Sequence, residues 1–284
     1  MEDNFIKFTK KKEYLICIDS DGCAMDTMDL KHKKCFGPCM IKEWSLESHA
    51  DEIQKSWNEV NLYTRTRGIN RFQGLARALR EADSKYGEIP GIDELEHWAE
   101  STDELSERSL QRAASDPGIT EEGRLILNKA LSWSRAVNDA IDRIPDDEKV
   151  PFSGVRDALE AAGRKADIAI VSSANRKAVE DEWSRYGLLP FTDILLTQKD
   201  GSKAACIGRL LEKGYDRSHA LMAGDAPGDA RAAGKNGIFF YPVLAGHEEE
   251  SWKEFKKEAL ARLTDETYAG AYQKKKLDEF WSNL

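Results

Sequence analysis

The sequence predicts an α/β fold, a parallel sheet flanked by helices, with an all-helical domain inserted after the first strand. Three observations support this prediction. From about Val150 onward, short runs rich in β-branched and aromatic residues alternate with longer segments of helical period. Another apolar run, Tyr14–Ile18, stands alone near the N-terminus. Between these two parts apolar residues recur every three or four positions, and no strand is predicted there.

Five strands are predicted, and four of them lie in the second half of the chain. Continuous apolar runs are typical of strands that are buried on both faces of a parallel sheet. The predicted strands are Tyr14–Ile18, Ala166–Val171, Ile194–Thr197, Ala220–Ala223 and Ile238–Val243. Helical segments follow the later strands, as expected for βα units.

The inserted segment contains four apolar stripes at helical spacing, which indicate four core-facing helices. The stripes are Ile53 to Val60, Phe72 to Leu79, Ile92 to Ala99 and Leu127 to Ile141. Ser101 with Glu104 fits a capping box, and Thr120 fits a simple helix cap. The predicted boundaries are residues 1–30 and 150–284 for the α/β core domain and 31–149 for the helical domain.

Two segments in the C-terminal part of the sequence, residues 252–263 and 277–281, contain aromatic residues and leucines. Their apolar residues predict helices that dock the C-terminal part of the chain on the core. A homodimer contact is the alternative interpretation of the same residues.

Composition and charge narrow the classes of partner. The chain has 42 Lys and Arg against 51 Asp and Glu, a net charge of −9 that disfavours nucleic acid as a partner. No apolar stretch reaches the roughly 18 residues needed to span a bilayer. Residues 1–12 lack a signal-peptide pattern, and five cysteines do not indicate a disulfide framework. We therefore expect a cytoplasmic protein with neither a nucleic-acid nor a membrane partner.

Polar residues follow four of the predicted strands, and ligands of open α/β sheets bind at the carboxyl ends of the strands. These residues are Asp19, Asp21 and Gly22 after the first strand, Ser172, Ser173 and Asn175 after the second, Lys203 after the third, and Asp225 and Asp229 after the fourth. Lys199 competes with Lys203, but only Lys203 is predicted on the following helix. Four carboxylates, a hydroxyl and an ammonium group are thus expected at one edge of the sheet.

Carboxylates that converge at one edge repel each other, and a divalent hard cation with oxygen ligands relieves the repulsion. Mg²⁺ fits this description best. An adjacent lysine would neutralise an incoming anion. A phosphate offers oxygens that the metal, the ammonium group, the Ser172 hydroxyl and free backbone N–H groups could hold. The sequence therefore predicts a Mg²⁺ site that receives a phosphate group.

The ordered set of motifs resembles the haloacid dehalogenase-like (HAD) hydrolase superfamily. The family motifs are an Asp-x-Asp-Gly, a Ser or Thr, a Lys, and a Gly-Asp-x-x-x-Asp. Here they are matched by Asp19-Ser20-Asp21-Gly22, Ser172, Lys203, and Gly224-Asp225 with Asp229. The resemblance covers the α/β part, about half the chain, and implies a Rossmann-like core with a helical cap inserted after the first motif. Cys23 departs from the Thr or Val usual in the family.

The resemblance also implies a reaction. Asp19 would attack phosphorus, and Asp21 would protonate the leaving oxygen and then activate the water that hydrolyses the aspartyl-phosphate. Mg²⁺ would be held by Asp19, the Asp21 carbonyl and Asp225, with Asp229 as a further ligand or a residue that orients one. An acid at Asp21 favours phosphate esters. A phosphomutase with the same intermediate and a non-catalytic phospho-ligand-binding protein are the alternatives.

Substrate-binding residues are predicted at the strand ends and in the cap. At the strand ends they are Ser172, Ser173, Asn175 and Lys203. In the cap, residues 65–71 form the most cationic short stretch, and the spacing of Arg67 and Arg71 predicts that they share a helix face. These arginines would recognise an anionic part of a small phosphorylated metabolite. A solvated face that pairs with neighbouring acids is the alternative.

Overall fold

The computed structural model of the protein describes residues 4–87 and 89–284. The chain divides into two compact units, one of Met1–Met28 with Pro145–Leu284 and one of Asp29–Ile144. We call them the core unit and the helical unit. Both junctions lie a few residues before the boundaries predicted from the sequence. No described helix has both the length and the apolar character that crossing a bilayer requires.

The core unit contains a parallel five-stranded sheet within the described residues, in the order β3-β2-β1-β4-β5. The strands are β1 (Tyr14–Ile18), β2 (Ala166–Val171), β3 (Ile194–Leu196), β4 (Ala220–Gly224) and β5 (Phe239–Pro242). All five predicted strands are confirmed, and so is the α/β fold. Three strands differ in their bounds from the prediction: β3 ends one residue earlier, β4 ends one residue later, and β5 is shorter by one residue at each end.

The described α-helices follow in chain order. They are α1 (Asn4–Lys7), α2 (Met28–Lys31), α3 (Gly37–Glu43), α4 (Ala50–Leu62), α5 (Arg71–Tyr86), α6 (Ile92–Ser101), α7 (Glu107–Ala114), α8 (Glu121–Asp142), α9 (Val155–Gly163), α10 (Arg176–Arg185), α11 (Lys203–Leu211), α12 (Pro227–Asn236), α13 (Glu248–Glu254), α14 (Leu260–Thr264) and α15 (Ala271–Asn283). Single π-helical turns link α2 to α3 and α13 to α14.

The sheet of the core unit is buried on both faces by helices. Successive side chains of a strand point to opposite sides, so neighbouring residues of β1 pack into different clusters. Ile16 and Ile18 of β1 pack into a cluster with α9, α10, α13 and α14. Leu15 and Cys17 pack into a second cluster with α11, α12 and α15. The C-terminal helices therefore dock on the core, as predicted.

The helical unit has its own apolar core, in which Trp57 and Trp133 are fully buried. The four predicted stripes lie on α4, α5, α6 and α8, and the structure adds α3 and α7. The cap at Thr120 is confirmed, since its side chain accepts the Gly123 N–H. The capping box at Ser101 is wrong: Ser101 ends α6, and the side chain of Ser106 caps α7 instead.

Candidate active site

The order of the strands brings the polar strand ends of the core unit together. β1 lies between β2 and β4, so the loops that follow these three strands emerge side by side. The chain runs from β1 to β2 and β3 on one side and then crosses to β4 and β5 on the other, so the direction of strand addition reverses beside β1. Such a topological switch point is where open α/β sheets bind ligands. The site is thus built around the residues that follow β1.

Asp19 directly follows β1 and is almost completely buried. Its backbone N–H donates to the Ala223 carbonyl of β4 at 3.0 Å, and its carboxylate accepts the Ser20 N–H at 2.8 Å. Gly22, whose φ is +77°, allows the chain to turn back, and its N–H donates to the Met25 carbonyl at 2.9 Å. The turn fixes the Asp19 carboxylate at the carboxyl edge of the sheet.

Lys203 is the first residue of α11 and bridges two of the predicted carboxylates. Its Nζ lies 2.6 Å from Asp19 Oδ2 and 2.6 Å from Asp229 Oδ1. Ser202 caps the helix by accepting the Ala205 N–H, which fixes the start of α11. Lys199 is exposed in the preceding loop. The structure therefore brings Lys203 to the carboxylates, as expected from its helical position.

Asp19, Asp225 and Asp229 form a buried carboxylate cluster. One oxygen from each residue lies within 4.8 Å of the others. Asp229 belongs to α12 and accepts the Ala226 N–H at 3.1 Å. A Cβ at Gly224 would lie 2.4 Å from the Asp229 side chain, so glycine at this position makes room for the carboxylate.

The electrostatics of the cluster are those of a cation site. Burial, reinforced by the charges of Asp229 and Asp225, raises the pKa of Asp19 well above its ordinary value, although Lys203 opposes this shift. Burial by itself would lower the pKa of Lys203, but the attraction of Asp19 and Asp229 raises it. Three carboxylates against one ammonium group leave excess negative charge. Buried oxygen donors with uncompensated charge fit the ligand preference of Mg²⁺.

Asp21 lies on the same turn, but its carboxylate has a different environment. It is partly exposed, and its Oδ1 accepts a hydrogen bond of 2.6 Å from the hydroxyl of Thr27, which is fully buried. The sequence did not indicate Thr27 as a site residue, because a threonine six residues after an aspartate matches no motif. The hydrogen bond from Thr27 fixes the orientation of the Asp21 carboxylate.

Three predicted binding residues follow β2. Ser172 is buried, and its hydroxyl accepts the Ala174 N–H at 3.1 Å. Ser173 and Asn175 are exposed. The side-chain oxygen of Asn175 caps α10 by accepting the Lys177 N–H, which gives Asn175 a structural function regardless of any ligand.

The two arginines of the helical unit do not share a helix face, and this prediction is wrong. The side chain of Asn70 caps α5, which therefore begins only at Arg71, whereas Arg67 lies in the preceding turn. Arg67 is buried and donates to the Leu62 carbonyl at 2.9 Å, so it is not part of a solvated face. Arg71 donates to Asn138 at 2.8 Å and lies over the Phe36 ring.

Comparisons with known proteins agree with this architecture. No curated protein sequence matches the chain. A candidate phosphoglycolate phosphatase from Lactobacillus delbrueckii subsp. bulgaricus is similar over 92% of this chain and 100% of its own, with 14% identity and a TM-score of 0.52. A haloacid dehalogenase-like family hydrolase from Streptococcus pneumoniae aligns over 87% and 97%, with 13% identity and a TM-score of 0.47. The first of these similarities supports the fold.

A family model gives the stronger result. The model described as haloacid dehalogenase-like hydrolase matches residues 95–243, just over half of the chain. The matched part contains Ser172, Lys203, Asp225 and Asp229, whereas Asp19 lies before it. The chain therefore belongs to the haloacid dehalogenase-like hydrolases and is an enzyme of that family.

Proposed function

We propose that this hydrolase is a Mg²⁺-dependent phosphatase that acts on a small phosphate monoester through an aspartyl-phosphate on Asp19. The observation that carries the proposal is the buried cluster of Asp19, Asp225 and Asp229 bridged by Lys203. Such a cluster offers a cation site and a nucleophilic carboxylate at the same strand end. The family membership supports the same class of reaction.

Asp19, Asp225 and Asp229 would hold Mg²⁺, together with the carbonyl of Asp21. When bound, the ion would supply positive charge that offsets the carboxylates and the oxygens of a phosphate. Lys203 would add a second positive charge, and the Ser172 hydroxyl would donate to a phosphate oxygen. These residues would hold the phosphate with phosphorus in reach of an Asp19 oxygen.

The chemistry proceeds in two balanced steps. An Asp19 oxygen forms a bond to phosphorus as the ester P–O bond breaks, and Asp21 gives its proton to the leaving alcohol oxygen. Asp21, now a carboxylate, then takes a proton from water, whose oxygen attacks the aspartyl-phosphate. The bond between phosphorus and Asp19 breaks, which releases inorganic phosphate and restores both aspartates.

The test is turnover of para-nitrophenyl phosphate and of a panel of phosphorylated metabolites that includes phosphoglycolate. We expect release of inorganic phosphate with Mg²⁺ and none in excess chelator. Asp19→Asn should stay folded by circular dichroism and lose at least about 99% of turnover, because a neutral amide is a poor nucleophile. Retention of more than a few per cent of the activity would remove Asp19 from this role. Phosphoryl transfer back to substrate without phosphate release would indicate a mutase.

A further inference from the structure

Ser20, the residue between the two aspartates of the first motif, is completely buried and uses all of its polar groups. Its N–H donates to the Asp19 carboxylate at 2.8 Å. Its carbonyl accepts the N–H groups of Ala24 at 2.9 Å and Met25 at 2.8 Å, so it closes the turn. Its hydroxyl accepts the indole N–H of Trp183 at 2.9 Å. Ser20 thus joins the turn, the Asp19 carboxylate and helix α10.

The side chain of Ser20 continues an apolar face of the sheet. Ile16 and Ile18 point into the cluster that contains Trp183, and the hydrogen bond from Trp183 places the Ser20 hydroxyl beside the same cluster. A hydroxyl in such surroundings is unfavourable unless it is hydrogen-bonded. The indole of Trp183, itself fully buried, provides that hydrogen bond. A polar pair inside an apolar cluster fixes one arrangement of the two groups.

A second indole holds the same turn from another helix. Trp252 of α13 is fully buried, and its Nε1 donates to the Cys23 carbonyl at 2.9 Å. Tryptophan has only two side-chain torsions and is packed here on all sides, so both donors are rigid. The turn that bears Asp19 and Asp21 is therefore held by two helices as well as by its own backbone hydrogen bonds.

We propose that Ser20 and Trp183 form a positioning pair that orients Asp19 and Asp21 for phosphoryl transfer. Their side chains contact each other rather than either aspartate, so both act as positioning residues; the Ser20 N–H that donates to the Asp19 carboxylate belongs to the backbone and is kept when the side chain is changed. The inference rests on the proposed phosphatase function. Preorganised groups contribute to catalysis only while their geometry is kept, and a displacement of about 1 Å can cost about a hundredfold in rate. The pair should therefore affect kcat more than KM.

The experiment compares Ser20→Ala, Trp183→Phe and the double variant, with phosphatase kinetics and thermal melting for each. We expect each single variant to lower kcat about 10- to 100-fold with KM within about twofold. The double variant should be no slower than the slower single variant, because both changes remove the same hydrogen bond. Tyr268→Phe is the matched control: it removes another buried hydrogen bond of the core unit, from Tyr268 to the Phe240 carbonyl at 2.9 Å. It should lower the melting temperature and leave kcat unchanged.

A second measurement does not depend on activity. The indole ¹H–¹⁵N resonance of Trp183, assigned by its absence in Trp183→Phe, should move upfield in Ser20→Ala, and its N–H should exchange faster with solvent. An unchanged resonance, wild-type kcat in Ser20→Ala, or losses that multiply in the double variant would each overturn the positioning role. An inactive wild-type protein on every phosphate tested would instead count against the proposed function.

Discussion

At the scale of single residues, the candidate site depends on side chains whose partners fix one orientation. Lys203 bridges Asp19 and Asp229, and Thr27 donates to Asp21. Gly224 contributes by having no side chain. Two of these six residues, Thr27 and Gly224, carry no charge, yet both help to fix the carboxylates in place.

Removal of the Thr27 hydroxyl should slow the reaction. Thr27→Val keeps the shape of the side chain but deletes the hydrogen bond to Asp21. A hydrogen bond to a charged group contributes about 1.5–3 kcal/mol, so we expect kcat to fall about 10- to 100-fold. Thr27→Ser, which keeps the hydroxyl, should retain most of the activity. Equal losses in steady-state kinetics of both variants would contradict a role for the hydroxyl.

A methyl group at position 224 should displace Asp229. In Gly224→Ala the new Cβ would lie 2.4 Å from the Asp229 carboxylate, which must then shift from the position in which it contacts Lys203. We expect about 1–3 kcal/mol of destabilisation and a loss of activity of about a hundredfold or more. Gly228→Ala is the control, because its added Cβ would have no contact within 4 Å beyond its chain neighbours and the backbone of its own helix. Kinetics and denaturant unfolding measure both effects, and an active Gly224→Ala would refute the packing argument.

At the scale of elements, short polar side chains determine where several helices begin. Ser202 and Asn175 cap the helices after β3 and β2, and Asn70 caps α5. The cap at Ser202 gives Lys203 the first position of α11. Arg67 is excluded from α5 by the cap at Asn70. One capping residue thus decides whether a neighbouring cation lies on a helix or in a turn.

In the helical unit, Gly91 should tolerate no side chain. Its φ is +81°, and an added Cβ would lie 2.5 Å from the main-chain oxygen of Glu122 in α8. Gly246 has a similar φ of +79°, but a Cβ added to Gly246 would lie in open space. Gly246→Ala should therefore cost only backbone strain, about 1–2 kcal/mol, and Gly91→Ala at least about 1 kcal/mol more from overpacking. Denaturant unfolding measures both, and equal costs would contradict the steric argument.

At the scale of the whole molecule, apolar side chains form two clusters in the core unit, one on each face of the sheet, and a third in the helical unit, whereas the carboxylate cluster lies in one unit only. The carboxylate cluster lies entirely in the core unit, whose sheet is buried on both faces. Mutual repulsion of buried carboxylates opposes folding, and a bound cation would offset it. The stability of the core unit should consequently depend on the cation.

Magnesium should raise the melting temperature of the protein. A ligand at about 100 times its dissociation constant stabilises the folded state by about 2.7 kcal/mol. Asp225→Asn should abolish most of this increase and, in chelator, should melt above the wild-type protein because one buried charge is gone. Calorimetry with and without Mg²⁺ measures both effects. A melting temperature that is the same in Mg²⁺ and in chelator would contradict the cation site.

The sequence by itself determined the strands and most helices, because continuous apolar runs and a period of 3.6 are local properties of the chain. It also predicted that Asp19, Lys203, Asp225 and Asp229 share one edge, since parallel strands end on the same side of a sheet. Only the tertiary structure decided the contacts across the fold. The burial of Arg67 and the hydrogen bond from Thr27 to Asp21 depend on turns, whose sequences have no repeating apolar pattern. The hydrogen bond from Trp183 to Ser20 joins residues that lie 163 positions apart in the sequence, and local periodicity carries no information over such a separation.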